Sequence, residues 1–408
     1  MKILGIETSC DETGVCLIET KETKEGVILT ILGNQLYSQV EKHKEFGGVF
    51  PMLAKREHAK NLVPLLEACL KESNLWTPFH TLDKAGWHSD DKVIEEKIKE
   101  ILFREGELFN ELITLLKTIK KPDIEAIAVT NGPGLEPALW VGVVFAKALN
   151  QAWNIPLIPT NHMEGHIFAA TLQKLETETS NPESKQNSKS YILNPIKHPA
   201  VALLISGGHT QLVLIKDNLN YEIIGNTKDD AVGEAYDKVA RMMNLPYPGG
   251  KIISDLATKE QAEFPNKKTT YPLPRPMIRS GDLNFSFSGL KTAVLYTLKK
   301  IPVITDEIKQ EIALEFERAV LEVLTSKVSQ AIEEYNPQTL IIGGGVSANS
   351  KIRTSLEKIC QKYNITFLVP EVSASTDNAL MIAVAGFVNI LAGKIANTDF
   401  KANGNLSL

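Results

Sequence analysis

Apolar residues fall in short alternating or continuous runs in two parts of the chain, and at helical spacing between them. Ile3-Leu-Gly-Ile6 and Val15-Cys-Leu-Ile18 flank a polar tip, Glu7-Thr-Ser-Cys-Asp-Glu-Thr-Gly14, which predicts a strand, a turn and a strand. The apolar stretches 27–32 and 34–40 extend this meander, and Leu62, Val63, Leu66, Cys69 and Leu70 share one side of a helix. Trp76 to Lys121 is more charged, with apolar positions that predict one or two amphipathic helices broken near Gly106. A buried strand at Ile124–Thr130, a loop at Asn131-Gly-Pro-Gly134, a helix over Trp140–Trp153 and a strand at Ile155-Pro-Leu-Ile158 follow.

The pattern then restarts. Ala200-Val-Ala-Leu-Leu-Ile205, the turn Ser206-Gly-Gly-His-Thr210 and Gln211-Leu-Val-Leu-Ile215 form a second strand-turn-strand, so the spacing predicts duplicated α/β lobes facing a shared cleft. The later part reads as helices at 229–243, 306–335 and 379–391, with the strand Thr339–Ile342 running into Gly343-Gly-Gly345. The predicted organisation is an N-terminal lobe over 1–171 with a helical insertion at 76–121 and a flexible polar loop over 172–198. A C-terminal, nucleotide-binding lobe over 199–375 is followed by a helix over 376–394 packing back at the cleft and a polar tail over 395–408.

Composition excludes several classes. With 408 residues, 43% hydrophobic and 23% charged, the chain can build two cores and is not disordered. No run approaches a membrane span and no signal-peptide pattern opens the chain, so the expected location is the cytoplasm, with no membrane partner. Cys10, Cys16, Cys69 and Cys360 have no CxxC spacing and read as reduced thiols. A net charge of −5 restricts nucleic-acid binding to local patches.

Candidate chemistry gathers at a few places. His162 and His166 lie four apart on a predicted helix and can share one metal ion, although spacing alone equally admits two packed histidines. Glu164 reads as the acid of a capping box begun by Asn161. Glu7, Thr8, Ser9 and Asp11 on the first tip could hold a phosphate or a cation, or simply form a hairpin tip. Ser206–Thr210 and Gly343–Gly345 let the backbone approach an anion. Asp377 is either a helix cap or a ligand. Arg275, Arg279 and Lys291 around Phe285-Ser-Phe287 form a basic, aromatic neighbourhood that could touch nucleic acid or mark a capped helix start.

Two lobes of this kind resemble the architecture of actin, heat-shock chaperone ATPases and sugar kinases, a duplicated ribonuclease-H-like fold. Gly5-Ile-Glu-Thr-Ser-Cys-Asp-Glu-Thr13, His162-Met-Glu-Gly-His166, Ser206-Gly-Gly-His-Thr-Gln211 and Glu234-Ala-Tyr-Asp-Lys238 occur in that order. They are followed by Tyr247-Pro-Gly-Gly250, Phe285-Ser-Phe-Ser-Gly-Leu-Lys-Thr-Ala293, Gly343-Gly-Gly-Val-Ser-Ala-Asn349 and Thr376-Asp-Asn378. The ordered set resembles the bacterial tRNA N6-adenosine threonylcarbamoyltransferases.

The resemblance implies transfer of a threonylcarbamoyl group from its adenylate to the adenosine 3′-adjacent to the anticodon in tRNAs reading ANN codons, with release of AMP. It implies that His162, His166 and Asp377 hold one Fe2+ or Zn2+ ion. It also implies that Ile205, Ser206, Gly207, Gly208, His209, Asp237, Gly250 and Asn349 bind the adenylate, and that no residue acts as a covalent nucleophile. Implied partners are a catalytically inactive paralogue of similar fold (TsaB-like) and a P-loop ATPase (TsaE-like).

Three features depart from the family pattern: the bulky loop Leu135–Trp140, Met52 where an acid is common, and an ending at Leu408 without a basic, Trp-containing tail. Two alternatives remain from the residues. A phosphotransferase would use ATP or ADP with Mg2+ and a carboxylate such as Glu7 or Asp11. A zinc peptidase would use the histidine pair but lacks the Glu that follows the first ligand in His-Glu-x-x-His.

Overall fold

The computed structural model describes residues 1–24, 26–79, 91–175, 189–217, 219–265, 268–394 and 399–408. The chain divides into two compact units, one formed by 1–41, 49–195 and 377–408, the other by 42–48 and 196–376. Both are α/β, and among the described residues no helix is long and apolar enough to cross a membrane.

The first unit opens with β1 (Lys2–Glu7), β2 (Glu12–Thr23) and β3 (Gly26–Ser38), then the single turn α1 (Val40–His43), which runs across the boundary between units. It continues with α2 (Pro51–Glu72), α3 (Asp91–Ile101), α4 (Gly106–Leu116), β4 (Ala126–Gly132), α5 (Glu136–Trp153), β5 (Leu157–Asn161) and α6 (His162–Ala169). The short strands β6 (Leu172–Lys174) and β7 (Ser190–Leu193) close the list before the chain leaves this unit. Sheet order is β5-β4-β1-β2-β3-β7-β6, with β1–β2–β3 antiparallel and β1, β4 and β5 parallel. The insertion expected at 76–121 appears as α3 and α4, with α4 starting at Gly106; its residues 80–90 lie outside those described.

One expectation changes here. The polar segment 172–198 is not loop throughout, because β6 pairs with β7, and β7 pairs with β3 while burying Tyr191. Its few apolar residues were enough to extend a sheet edge, since the backbone groups of β3 needed a partner there.

The second unit contains β8 (Ala200–Ile205), β9 (Thr210–Asp217), β10 (Asn220–Asn226), α7 (Val232–Met242), α8 (Gly249–Glu263), α9 (Ser288–Lys299) and α10 (Asp306–Tyr335). It ends with β11 (Thr339–Gly343), α11 (Ser350–Tyr363) and β12 (Thr366–Leu368), in the sheet order β10-β9-β8-β11-β12. Numbered within each unit, the second sheet reads 3-2-1-4-5, and the first reads the same with β7 and β6 added beyond β3: an antiparallel meander followed by two parallel strands. This is the duplicated ribonuclease-H-like arrangement that the restarting apolar pattern predicts.

The last helix, α12 (Ala379–Leu391), returns to the first unit. It is apolar nearly all round and accordingly buried. Leu4, Ile6, Val15 and Leu17 pack into the core formed with α2 and α5. Alternating with them, Gly5 and Gly14 face α12, and Gly386 of that helix meets Ala128 on β4. A Cβ on Gly5 would stand 2.3 Å from the Ala379 carbonyl oxygen, so the absence of a side chain lets the helix backbone lie on β1. Residues 399–408 also fold onto this unit: Asn403 N–H donates to the Asn131 carbonyl, Gly134 N–H to that of Gly404, and Asn161 Nδ2 to that of Ser407.

Candidate metal centre and anion-binding loops

In the first unit, β5 delivers the chain to α6, whose N-cap Asn161 accepts from Met163 N–H at 2.8 Å. One turn of helix then places His162 and His166 side by side, their rings 4.7 Å apart and nearly perpendicular. The close packing of α12 on β1 brings in the third group, since Asp377 precedes the N-cap Asn378 of that helix. Asp377 Oδ1 lies 3.4 Å from His162 Nε2 and 3.2 Å from His166 Nε2, and the three donor atoms fall within 4.8 Å of one another.

Both histidines are buried and Asp377 is about one-fifth exposed. Among the described residues the buried His166 Nε2 has Asp377 Oδ1, at 3.2 Å, as its near polar neighbour but no well-aligned hydrogen bond. An imidazole nitrogen beside a second imidazole and a carboxylate is a borderline-soft, three-donor set with open positions, which fits Fe2+ or Zn2+.

Electrostatics point the same way. Burial works against a charged His162, yet the Asp377 and Glu7 carboxylates outweigh it and hold the imidazole well above its ordinary range. Burial likewise lowers His166, and there the neighbouring groups do not restore it. Asp377 would be raised by burial, but the two imidazoles hold it far below the usual carboxylate range. The carboxylates on either side of His162 therefore favour positive charge between them.

The side chains of the first tip are engaged with one another and with the surrounding scaffold. Glu7 is the inward-facing end of β1 and fully buried. Its Oε1 accepts from Ser9 N–H at 2.5 Å, and its Oε2 accepts from Thr130 Oγ1 at 2.5 Å and lies 3.3 Å from His162 Nδ1. Ser9 Oγ is 3.2 Å from the same nitrogen. Asp11 is also buried and stands against Glu12, whose carboxyl is pushed up to about 10 by burial and then by Asp11. Thr130 had not been singled out by its sequence; a lone hydroxyl at the end of the apolar β4 run was the available signal.

Glu164 does not reach back to complete a capping box. Its Oε2 accepts from Asn389 Nδ2 at 2.9 Å, tying α6 to α12. Burial and then the Asp11 carboxylate push the Cys10 thiol well above its ordinary value, which disfavours the thiolate.

The second unit supplies loops suited to an anion. Ile205 ends β8, and Ser206–His209 turn into β9 with Gly207 and Gly208 exposed and nothing beside them. Gly233, in the first turn of α7, fits against Ser206, and Gly344, at φ +89°, fits against the Ile205 carbonyl. A glycine turn above a helix N-terminus presents N–H groups with the positive end of the helix dipole. Asp237 Oδ1 accepts from Gly249 N–H at 2.7 Å, which places Gly250 beside it at the start of α8.

Asn349 is committed to the scaffold. Its Oδ1 caps α11 by accepting from Lys351 and Ile352 N–H, while Nδ2 donates to Ser254 and Glu317. Ser347, by contrast, keeps a fully buried hydroxyl without a partner among the described residues, in the loop after the three glycines.

The basic neighbourhood is largely structural. Arg275 donates through Nε and Nη2 to Glu322, and through Nη1 to Glu315 at 2.6 Å and the Leu273 carbonyl. Lys291 pairs with Asp230 at 2.6 Å, and Phe285 and Phe287 belong to the core. Asp229 caps α9 from a distance by accepting from Phe287 and Ser288 N–H. Of the three cations only Arg279 is exposed.

A model of the TsaD family, tRNA N6-adenosine threonylcarbamoyltransferase, matches residues 30–78, 107–184 and 186–384. The chain is 38% identical to a tRNA N6-adenosine threonylcarbamoyltransferase of Bacillus cereus, over all of this chain and 96% of the relative. It is 37% identical to one of Staphylococcus aureus with the same coverage. Among solved structures, a ROK hexokinase from Thermus thermophilus matches at TM-score 0.43 and 13% identity, over 96% of this chain and 100% of the other. Component A of the Acidaminococcus fermentans (R)-2-hydroxyglutaryl-CoA dehydratase matches at 0.43 and 12%, over 95% and 96%.

Proposed function

The chain belongs to the tRNA N6-adenosine threonylcarbamoyltransferase family, and on that premise we propose which groups carry the reaction and what donor it uses. It transfers a threonylcarbamoyl group to N6 of an adenosine in tRNA. The donor in this reading is threonylcarbamoyl-adenylate, the acceptor is the adenosine 3′-adjacent to the anticodon in tRNAs reading ANN codons, and AMP leaves.

His162, His166 and Asp377 are the residues that would hold an Fe2+ or Zn2+ ion, and the convergence of their donor atoms within 4.8 Å is the observation that carries this assignment. When bound, such an ion supplies a Lewis acid that polarises a carbonyl and orients it for attack by a weakly nucleophilic amine. The rest is positioning. Exposed Gly207 and Gly208 let the Ser206–His209 backbone approach the adenylate phosphate, and the N-terminus of α7 adds its dipole. Asp237 and Gly250 take the ribose side. Asn349 serves by holding the α11 end of the loop in place, and Ser347 offers a hydroxyl there. Because AMP is already a good leaving group, no covalent enzyme intermediate is required, which agrees with the raised Cys10 thiol.

Of the two carboxylates open to a phosphotransferase at the first tip, Glu7 has both oxygens engaged within the scaffold and Asp11 is buried against Glu12, which favours the transferase reading. A peptidase would need an acid beside the ion, but Glu164 bonds Asn389 instead. The family resemblance further supports a cytoplasmic enzyme working with a catalytically inactive paralogue and a P-loop ATPase.

The test is elemental analysis of the purified chain and of its His162→Ala/His166→Ala variant, with mass analysis of tRNA incubated with threonylcarbamoyl-adenylate. Near-stoichiometric iron or zinc in the wild type, lost in the variant together with the modified adenosine, is the expected result. A variant that keeps both metal and modification would overturn the site assignment.

A further inference from the structure

Resting on the metal reading above, we infer that Glu7 is the positioning residue for His162: it fixes the imidazole tautomer that points Nε2 at the ion and supplies the second buried negative charge that balances a divalent cation. The geometry is one-sided. His162 has Asp377 in front of Nε2 at 3.4 Å, and behind Nδ1 stand Glu7 Oε2 at 3.3 Å and the Ser9 hydroxyl at 3.2 Å, which can accept from the same N–H; no carboxylate stands behind His166 among the described residues.

Glu7 is held as a hydrogen-bond acceptor from three directions. Ser9 N–H and Thr130 O–H donate to it at 2.5 Å each, so its remaining lone-pair direction on Oε2 meets His162 as a further acceptor. An acceptor facing Nδ1 demands a proton there, and a neutral imidazole protonated at Nδ1 leaves the Nε2 lone pair free. That lone pair faces the Asp377 oxygen and the space shared with His166. Glu7 is not a ligand itself, because it is fully buried and its oxygens are occupied.

Charge completes the case. Glu7 and Asp377 are two carboxylates against neutral imidazoles, so a divalent ion brings the buried cluster to zero net charge. A trivalent ion would leave one positive charge buried, at a cost that low-dielectric surroundings enlarge.

Glu7→Gln keeps the shape and reverses this logic. With its carbonyl oxygen on Ser9 N–H, the amide NH2 faces His162 Nδ1, which must then accept and carry its proton on Nε2, where the ion would bind. The opposite amide orientation sets NH2 against Ser9 N–H, donor against donor.

The experiment titrates the full chain and Glu7→Gln with Zn2+ against a chromophoric chelator. Loss of such a supporting carboxylate weakens metal affinity about 10–100-fold, and that loss is expected here. A second measurement needs no variant: nitrogen-15 spectra of histidine-labelled, Zn2+-loaded wild type should show His162 bound through Nε2 and protonated at Nδ1. Unchanged affinity in Glu7→Gln, or coordination of His162 through Nδ1, overturns the inference while leaving the metal site standing. A wild type that binds no Zn2+ overturns the metal reading and this inference with it.

Discussion

Arg275 separates a tRNA-contact reading from a scaffold reading, and replacing it with methionine decides between them. Its guanidinium forms a bidentate pair with Glu322, whose side chain is 54% exposed, and a third bond to Glu315, whose side chain is 5% exposed. The exposed half of this network is worth little, about 0.2–1 kcal/mol. The buried half is different, because Arg275→Met would leave Glu315 with only the Leu273 N–H at 3.2 Å as a partner. Breaking a buried pair by removing one member costs about 3–5 kcal/mol, and the surviving N–H keeps the expected loss near the lower end, roughly 3–4 kcal/mol. At about 2–4 °C per kcal/mol for a unit of this size, the melting midpoint should fall by roughly 6–16 °C. Adding Glu315→Gln should recover much of it by removing the stranded charge. The companion assay is tRNA binding over a salt series, where losing one phosphate contact lowers the slope of log K against log salt by about 0.7–0.9. The expected slope is unchanged. A variant that melts like the wild type and loses one unit of salt slope would refute the reasoning and return Arg275 to the RNA.

Two further perturbations probe the first unit. Gly5→Ala should destabilise by about 1–3 kcal/mol and weaken metal binding, because the new Cβ meets the Ala379 carbonyl and the backbone of α12, with Asp377 at its start, must move; equal denaturant midpoints and equal metal affinity would contradict this. In the metal-free chain, the Glu12 carboxyl at about 10 makes wild-type stability fall with rising pH. Unfolded, the group ionises near about 4.3, so its contribution is fully present below that value and is lost as pH rises toward 10. Glu12→Gln should therefore gain on the wild type between pH 6 and pH 9 in urea midpoints, and a constant difference would show that Glu12 is ionised in the fold.

Regular patterns were legible and long-range polar commitments were not. Leu62, Val63, Leu66, Cys69 and Leu70 are all buried on α2, and the helix expected over 379–391 has those limits, because periodicity reports which face is dry. The histidine pair was legible because its spacing is local. Asp377 stands more than two hundred positions from it, and only the resemblance joined them. The internal engagement of Arg275 and Asn349 was not legible because their partners, Glu315, Glu322, Ser254 and Glu317, lie 32 to 95 positions away, and nothing local says that a cation or an amide already has a partner. The burial of Glu7 was not legible for a related reason: only the extension of the strand to that residue turns its side chain inward.

The two halves show why one turn of a duplicated fold can support different chemistry. Four residues join the first two strands of each sheet, Thr8–Asp11 in one and Ser206–His209 in the other. An anion seat built from backbone N–H groups works best without side chains, and Gly207 and Gly208 are exposed with open space around them. An imidazole that must present one nitrogen needs side chains behind it, and those must be dry to act strongly; Thr8 and Ser9 are buried to 0% and 1% exposure, beside a fully buried Glu7. Burying a carboxylate is costly unless its lone pairs are filled, and here Ser9, Thr130 and His162 fill them. On the reading proposed above, the first turn is packed with buried polar side chains because it backs a cation site, and the second carries glycines at its two exposed positions because it faces an anion.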